Sequence, residues 1–286
     1  MHPPYLTAEA IRFFIQSALA EDIGEGDHST LATVPADTVT QARLLVKDTG
    51  ILAGVSLAQQ IYDYVDPTLQ VDYLLHDGSE IQPGDIAFVA RGRAHTLLST
   101  ERLILNCMQR MSGVASYTHR LCKLLEGTKA KLMDTRKTTP NFRLMEKWAV
   151  GIGGGTNHRF ALYDRIMIKD NHVDIAGGIR AAIESAQRYL QNSGRKLEIE
   201  VETRTMAEVD EVLHVGGVDV IMLDNMCIAD MRQAVKKIGN QYKTEASGGI
   251  TEKNLRDVAA CGVDFISMGA LTHTVRSLDL SLKVLS

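Results

Sequence analysis

Four cations crowd into one central stretch of the chain: Arg136 and Lys137, then Arg159, then Lys169, with His158 and His172 beside them. Between Lys129 and His172 there are nine Lys or Arg against four Asp or Glu, a local excess of +5 in a chain of net charge −4, so the remainder carries −9. A cationic centre in an acidic chain suits a small anion better than a polyanion. Arginine offers a planar fork that matches a carboxylate, and lysine a point charge. Gathered at one place, these side chains would bind a ligand with more than one carboxylate or phosphate. Arg136 and Lys137 are adjacent, so a regular strand would turn them to opposite faces. Both reach one ligand only if the strand has already ended at Asp134.

Carboxylates follow the cations. Glu198, Glu200 and Glu202 alternate along a strand-like segment and share one face. Three inward acids need a cationic partner, and the central stretch supplies one. Glu200 and Asp224 are read as ending neighbouring strands. Such a pair can hold Mg²⁺, usually through waters, when the metal also touches ligand phosphates. It can also stabilise a cation developing at a sugar carbon.

Glycines mark the anion loops. Ser247-Gly248-Gly249 stands between an apolar segment and a helix expected from Thr251, where backbone N–H groups and the helix N-terminus would hold an anion. Gly269, after the last strand expected, is placed like the second phosphate loop of many βα barrels. The two loops together point to a phosphate monoester. A third segment, Gly151 to Arg159 (GIGGGTNHR), is rich in glycine but has Thr156 where GxGxxG needs glycine. It follows a helix and not a strand, so a dinucleotide-binding loop is excluded. Its glycines would instead let the backbone and His158-Arg159 approach a ligand closely.

The elements that must position these residues are short and repetitive. Apolar strand candidates fall at 130–133, 165–168, 197–201, 218–223, 242–246 and 264–267, with helical stretches near 142–150, 175–191, 205–214, 227–238 and 251–260. Repeated βα units imply a parallel sheet covered by helices, with chemistry at the C-terminal ends of the strands. About 140 residues are too few for a complete eight-stranded barrel, so an incomplete barrel or an open parallel sheet is expected. The first hundred residues read as mixed α and β. They begin with an amphipathic helix through Ile11, Phe14, Ile15, Ala18 and Leu19, capped by Thr7. Strands are expected at 38–47, 69–75 and 86–90, and a helix at 56–65 stopped by Pro67. A long helix is expected from Ser99 or Thr100 towards Leu125, with a weak point at Ser112-Gly113.

Composition narrows the class further. With 286 residues, 45% hydrophobic and 23% charged, the chain can bury a sizeable core. Its mild acidity argues against general nucleic-acid binding. No apolar run approaches the roughly 20 residues of a spanning helix, and the N-terminus lacks the pattern of a secretory signal. Cys107, Cys122, Cys227 and Cys261 show no CxxC spacing, so reduced, buried thiols in a cytoplasmic protein are expected.

Taken together, these motifs resemble the quinolinate phosphoribosyltransferase family, the carboxylating nicotinate-nucleotide pyrophosphorylases. The resemblance covers essentially the whole chain: LAEDIGEGDHST, DGSEIQPGD, ERLILNCMQRMSG, DTRKTTP, EKWAVGIGGGTNHR, IMIKDNH, EIEVE, VIMLDN, EASGGI and SMGALTH. Asn141 stands where many relatives have Gly, and Gly151-Ile152 where many bacterial members have Arg-Cys. The resemblance implies an N-terminal α/β sandwich domain at 1–110, joined by residues 275–286, and an incomplete parallel βα-barrel catalytic domain at 111–274. It implies a homodimer, or a higher oligomer, with Arg102 contributed across the interface. The implied reaction converts quinolinate and 5-phosphoribosyl 1-diphosphate (PRPP) to nicotinate mononucleotide, diphosphate and CO₂ with Mg²⁺. Arg102, Arg136, His158, Arg159 and Lys169 would bind the dicarboxylate, with Lys137 close to both substrates. Glu200 and Asp224 would lie by the ribose and metal. Ser247, Gly248, Gly249 and Gly269 would hold the 5-phosphate, and Thr135, Met268, Ala270 and His273 would also bind substrate. A paralogous transferase with another acceptor and a non-catalytic phosphate-sugar sensor are the rival readings. The full cation set argues against the first, and the retained acids against the second.

Overall fold

The computed structural model describes residues 3–285; Met1, His2 and Ser286, which fall inside the expected domain limits, lie outside them. The first part of the chain runs α1 (Ala8–Ile23), α2 (His28–Thr33), β1 (Val39–Val46), β2 (Gly50–Ile51), α3 (Val55–Val65), β3 (Gln70–Tyr73), β4 (Glu80–Ile81), β5 (Ile86–Arg93) and α4 (Ala94–Leu124). The repetitive part follows with β6 (Lys131–Met133), α5 (Arg143–Ile152), β7 (Ile166–Ile168), α6 (Asp170–Ala176), α7 (Ile179–Ser193), β8 (Ile199–Thr203), α8 (Met206–Val215), β9 (Val220–Asp224), α9 (Ile228–Ile238), β10 (Lys243–Ser247), α10 (Leu255–Ala259) and β11 (Phe265–Ser267). The chain ends in α11 (Ala270–His273) and β12 (Leu280–Leu285). Contacts group it into one unit of residues 1–119, 138–154 and 270–286, and another of 120–137 and 155–269.

The first unit is built on an antiparallel sheet in the order β12-β1-β5-β3. Alternation buries Ala42, Leu44 and Val46 of β1 on one face. β12 pairs with β1 from Gln41–Leu285 to Val46–Leu280, which brings the C-terminal segment into this unit. Thr7 caps α1 by accepting from Ala10 N–H. Helix α4 begins at Ala94, earlier than Ser99 or Thr100. The Thr100 hydroxyl is buried and donates to Thr96 O inside the helix, so it is not a cap. The helix also passes through Ser112-Gly113 unbroken. Glycine is needed there because a Cβ would strike the Arg276 carbonyl. Residues 138–154 were expected in the barrel domain, but α5 belongs here. Glu146 pairs with Arg110 of α4 at 2.8 Å, and the Phe142 ring meets Phe14 of α1 edge-on at 5.6 Å. Asn141 has φ +61°, a conformation that glycine and asparagine tolerate.

The second unit holds all six expected strands in one sheet, in the order β6-β11-β10-β9-β8-β7. Every pairing is parallel, so all strands present their C-terminal ends to one side. The sheet does not close, since β6 and β7 are its two edges. Ile199, Val201, Val220, Ile221, Leu223, Ala246 and Ile266 are buried on its two faces, as a covered parallel sheet requires. The helix expected at 175–191 is two helices, α6 and α7, parted at Gly177 and Gly178, whose φ values are +89° and +125°. Among the described residues no helix is long and apolar enough to cross a membrane.

Candidate active site

At the C-terminal ends of the parallel strands lies a cavity of about 580 Å³. Its lining includes Thr135, Arg136, Lys137, His158, Arg159, Lys169, Asp224, Ser247, Gly248 and Gly249, all expected from the sequence. β6 ends at Met133, so Arg136 and Lys137 stand on irregular backbone and both reach the cavity. Asp134, fully buried, organises the next layer. Its carboxylate accepts from His158 N–H at 2.9 Å and from Asn157 Nδ2 at 2.6 Å, and its own N–H donates to Thr156 O at 3.2 Å. The segment carrying His158 and Arg159 is thus fixed beside the strand that delivers Arg136. Burial, and next the charge of Arg136, lower the Arg159 pKa. Two guanidinium groups held close raise the local positive potential of this wall.

His172 does not join the cations. Its Nδ1 accepts from Lys169 N–H at 2.9 Å and caps α6, which leaves the Lys169 ammonium on the cavity wall.

The carboxylates are arranged differently from expectation. Glu200 is the second residue of β8, not its end, and it is fully buried. It pairs in register with Val220, four residues before Asp224 on β9. That offset is about 13 Å along the strands at a rise of about 3.3 Å per residue. Glu200 and Asp224 therefore do not stand level at two neighbouring strand ends. Glu202, in register with Met222, is the acid beside Asp224, and both line the cavity. Burial and then the Asp224 charge raise the Glu202 pKa to about 7, despite the opposing charge of Lys169. Alternation put Glu198, Glu200 and Glu202 on one face and could not say at what depth each lies. In the structure Glu198 is exposed and pairs with Arg165, Glu200 is the buried floor, and Glu202 faces the ligand space.

Glu200 has a separate partnership. Its Oε2 lies 3.0 Å from His158 Nε2 and 3.2 Å from Arg165 Nη1, while Glu245 Oε2 lies 3.4 Å from the same His158 nitrogen. Burial alone would lower the His158 pKa. Hydrogen bonds and charge from Glu200 and Glu245 overcome it and raise the value to about 9. The two acids thus favour the protonated form of His158, while its Nδ1 lies 2.6 Å from Arg159 N–H. Burial works to raise the Glu200 pKa, but His158 and Arg165 hold it below the usual carboxylate range. Burial and the Glu200 charge push Glu245 upward. Glu245 and Arg165 were missed by the sequence reading, since neither ends a strand.

The anion loop is built from backbone. Gly248 and Gly249 have φ of +83° and +61°, which glycine adopts without strain. The helix expected from Thr251 begins only at Leu255 and has five residues, because Thr251 N–H bonds Asn254 Oδ1 in a turn. The helix N-terminus expected beside the loop is therefore displaced to Leu255. Met268 is buried, and its N–H donates to Met133 O at 3.0 Å; neither it nor Gly269 lines the cavity. Ala270, His273 and Arg102 lie in the first unit. Ala270 opens α11, His273 closes it exposed to solvent, and Arg102 is exposed within α4, well past its start.

Comparison with known proteins converges on one family. Profiles described as the N-terminal and C-terminal domains of quinolinate phosphoribosyl transferase match residues 27–112 and 114–283. A tobacco protein named quinolinate phosphoribosyltransferase [decarboxylating] 1b is 42% identical over 99% of this chain and 83% of its own length. The crystal structure of NadC from Streptococcus pyogenes aligns with a TM-score of 0.91 and 37% identity, covering 98% of this chain and 99% of that one. The nicotinate-nucleotide pyrophosphorylase from Francisella tularensis aligns with a TM-score of 0.87 and 35% identity over 98% of both chains.

Proposed function

The chain belongs to the quinolinate phosphoribosyltransferase family, and on that premise we propose that it transfers the phosphoribosyl group of PRPP to quinolinate, with decarboxylation, in NAD biosynthesis. The observation that carries the reading is the gathering in one cavity of several cations, the acids Glu202 and Asp224, and the Ser247–Gly249 loop. A pyridine dicarboxylate needs several cations, and Arg136, Arg159, Lys169 and the His158 imidazolium provide them. Lys137, on the same wall, would stand between both substrates. The loop N–H groups take the 5-phosphate. The ribose then spans the acids.

The pyridine nitrogen attacks the sugar C1 while the C1–O bond to diphosphate breaks and the oxygen leaves with the electron pair. Positive charge develops on the sugar, and Asp224 with Glu202 stabilises it electrostatically. The product pyridinium accepts the electrons of the C2–carboxylate bond as CO₂ departs, and C2 then takes a proton.

We place Mg²⁺ at Asp224, with Glu202 beside it, instead of at Glu200 and Asp224. Hard carboxylate oxygens on the cavity wall suit this ion, which is held by one or two carboxylates plus substrate phosphates. When bound, it would supply charge neutralisation for the leaving diphosphate. Glu200, committed to His158 and Arg165, has no part in that reading.

A homodimer in which Arg102 of each subunit serves the other's cavity is our reading of its exposed place on α4 together with the family resemblance. Location in the cytoplasm rests on the cysteine pattern. The deciding experiment follows CO₂ released from quinolinate labelled at the 2-carboxylate. Release should require PRPP and Mg²⁺, and nicotinate should react poorly because it leaves a cavity cation unpaired. Efficient turnover of nicotinate, or none of quinolinate, would overturn the proposal.

A further inference from the structure

Asn225 follows β9 directly and has φ +53°; with Asn141 it is one of two non-glycine residues at positive φ among the described residues. A turn explains such an asparagine in general. The contacts here go further than a turn requires. Asn225 Nδ2 donates to Asp224 Oδ2 at 2.6 Å. Asn225 N–H donates to Ser247 O at 2.9 Å. The carboxamide also lies over Gly248, where any Cβ would overlap its Oδ1, Cγ and Nδ2. If only the turn mattered, glycine would serve better at this φ. The side chain is spent instead on the acid and the anion loop.

Register explains why one residue can reach both. Asp224 is paired with Ser247 across β9 and β10, so the acid and the first loop residue stand at the same level on adjacent strands. The left-handed turn at Asn225 bends its carboxamide back between them. Asp224 is then held between Glu202 on one side and Asn225 on the other.

We propose that Asn225 is a positioning residue that ties the Asp224 carboxylate to the Ser247–Gly249 loop and so sets the distance between them. This rests on the reading given above, in which Asp224 works at the sugar C1 and the loop holds the 5-phosphate. Those two atoms are the ends of one ribose. Binding of the non-reacting phosphate can lower the barrier at C1 only if the two protein groups keep a fixed separation.

The test crosses a variant with a shortened substrate. Asn225→Gly keeps the backbone conformation and removes the carboxamide. Asn225→Asp keeps the shape and replaces the donor with a charge facing Asp224. With PRPP, each should lower kcat by about 10²-fold, the scale of a misplacement near 1 Å, and change KM for quinolinate by less than about twofold. With ribose 1-diphosphate, which lacks the 5-phosphate, wild type is already slow, and Asn225→Gly should cost it less than about threefold, because the link has nothing to transmit. A merely structural role would slow both donors alike. Equal losses, or a kcat for PRPP within about twofold of wild type, would overturn the proposal. Calorimetry with ribose 5-phosphate needs no turnover. Affinity should fall at least about fivefold in Asn225→Gly, and unchanged affinity would also overturn it. Absence of CO₂ release by wild type with weakened ribose 5-phosphate binding in the variant would instead reject the reaction and keep the link.

Discussion

Glu146 in the first unit and Glu200 with Glu245 in the second are all fully buried, and the protein treats them in opposite ways. Glu146 Oε1 accepts from Arg110 Nε at 3.0 Å, Arg110 Nη2 at 2.8 Å and Thr139 Oγ1 at 2.9 Å, and its Oε2 accepts from Thr139 N–H at 3.0 Å. Arg110 continues to the carbonyls of Val275, at 2.8 Å, and Thr272. That acid joins α5, α4 and the chain before β12, and its charge is compensated where it sits. Glu200 and Glu245 instead crowd one imidazole. Their charge is used to hold His158 positive at the wall of a cavity. A buried acid surrounded by donors joins elements of the fold; two buried acids on one imidazole, one of them also paired with Arg165, set the charge of a site.

The contrast should break most visibly at Glu146. Replacing it by Ala leaves Arg110 without its charge partner, a change that costs about 3–5 kcal/mol for a buried pair. Urea unfolding should show that loss, while kcat per folded molecule stays within about twofold of wild type. A tenfold fall in kcat at unchanged stability would erase the distinction. The reverse pattern is expected at Asp224. Asp224→Asn should lower kcat by about 10²–10³-fold, with an unfolding midpoint close to that of wild type, because Asp224 is only half-buried. An effect confined to KM for PRPP would make Asp224 a binder of metal or ribose and nothing more.

What could be read from the chain divides along the same line. Strand-end polarity located the cavity wall, because a βα unit puts irregular, polar backbone at one end of each strand. Arg136, Lys137, Lys169, Asp224 and the Ser247–Gly249 loop were found this way, whereas Arg159 came from the glycine-rich segment after α5. Depth was not legible. Alternation gives the face of Glu200 and Glu202 but not their level, and two residues along β8 separate the floor from the ligand space. Nor was Glu245 visible, since it sits inside β10 and looks like a strand residue until β8 and β10 are known to flank β9. Element boundaries failed where a side chain imitates a signal. Ser99 and Thr100 look like caps but lie within α4, and Thr251 looks like a helix start but opens a turn closed by Asn254. The place of residues 138–154 needed long-range knowledge as well, because contacts such as the Arg110–Glu146 pair and the Phe14–Phe142 contact assign them.

The finest test of the contrast is Glu200→Gln, where shape is kept and one charge is lost. Asp224→Asn should act at every pH; this variant should act through His158 and therefore depend on pH. The groups facing the ring are Glu200 and Glu245, with Arg165 behind Glu200 and Arg159 following in the chain. In wild type the folded pKa of His158 is about 9 against an ordinary 6.5. Its stabilising contribution is thus fully present below about 6.5 and is lost as pH rises through about 9. The cationic state needed for a dicarboxylate follows the same curve. Removing the Glu200 charge leaves burial to act against Glu245 alone, so the folded pKa must fall. The alkaline limb of kcat/KM for quinolinate should then move down by at least about one pH unit. Activity near pH 6 should change least, because there the ring of the variant is still protonated. At pH 8.5 the variant should be several-fold to tenfold slower, mainly through KM, since the lost cation binds the acceptor and does not act at C1. An NMR titration of the His158 ring would show the same displacement without turnover. A loss of equal size at pH 6 and pH 8.5, with the ring titrating as before, would mean that Glu200 serves packing, as Glu146 does, and the two buried clusters would no longer differ in kind.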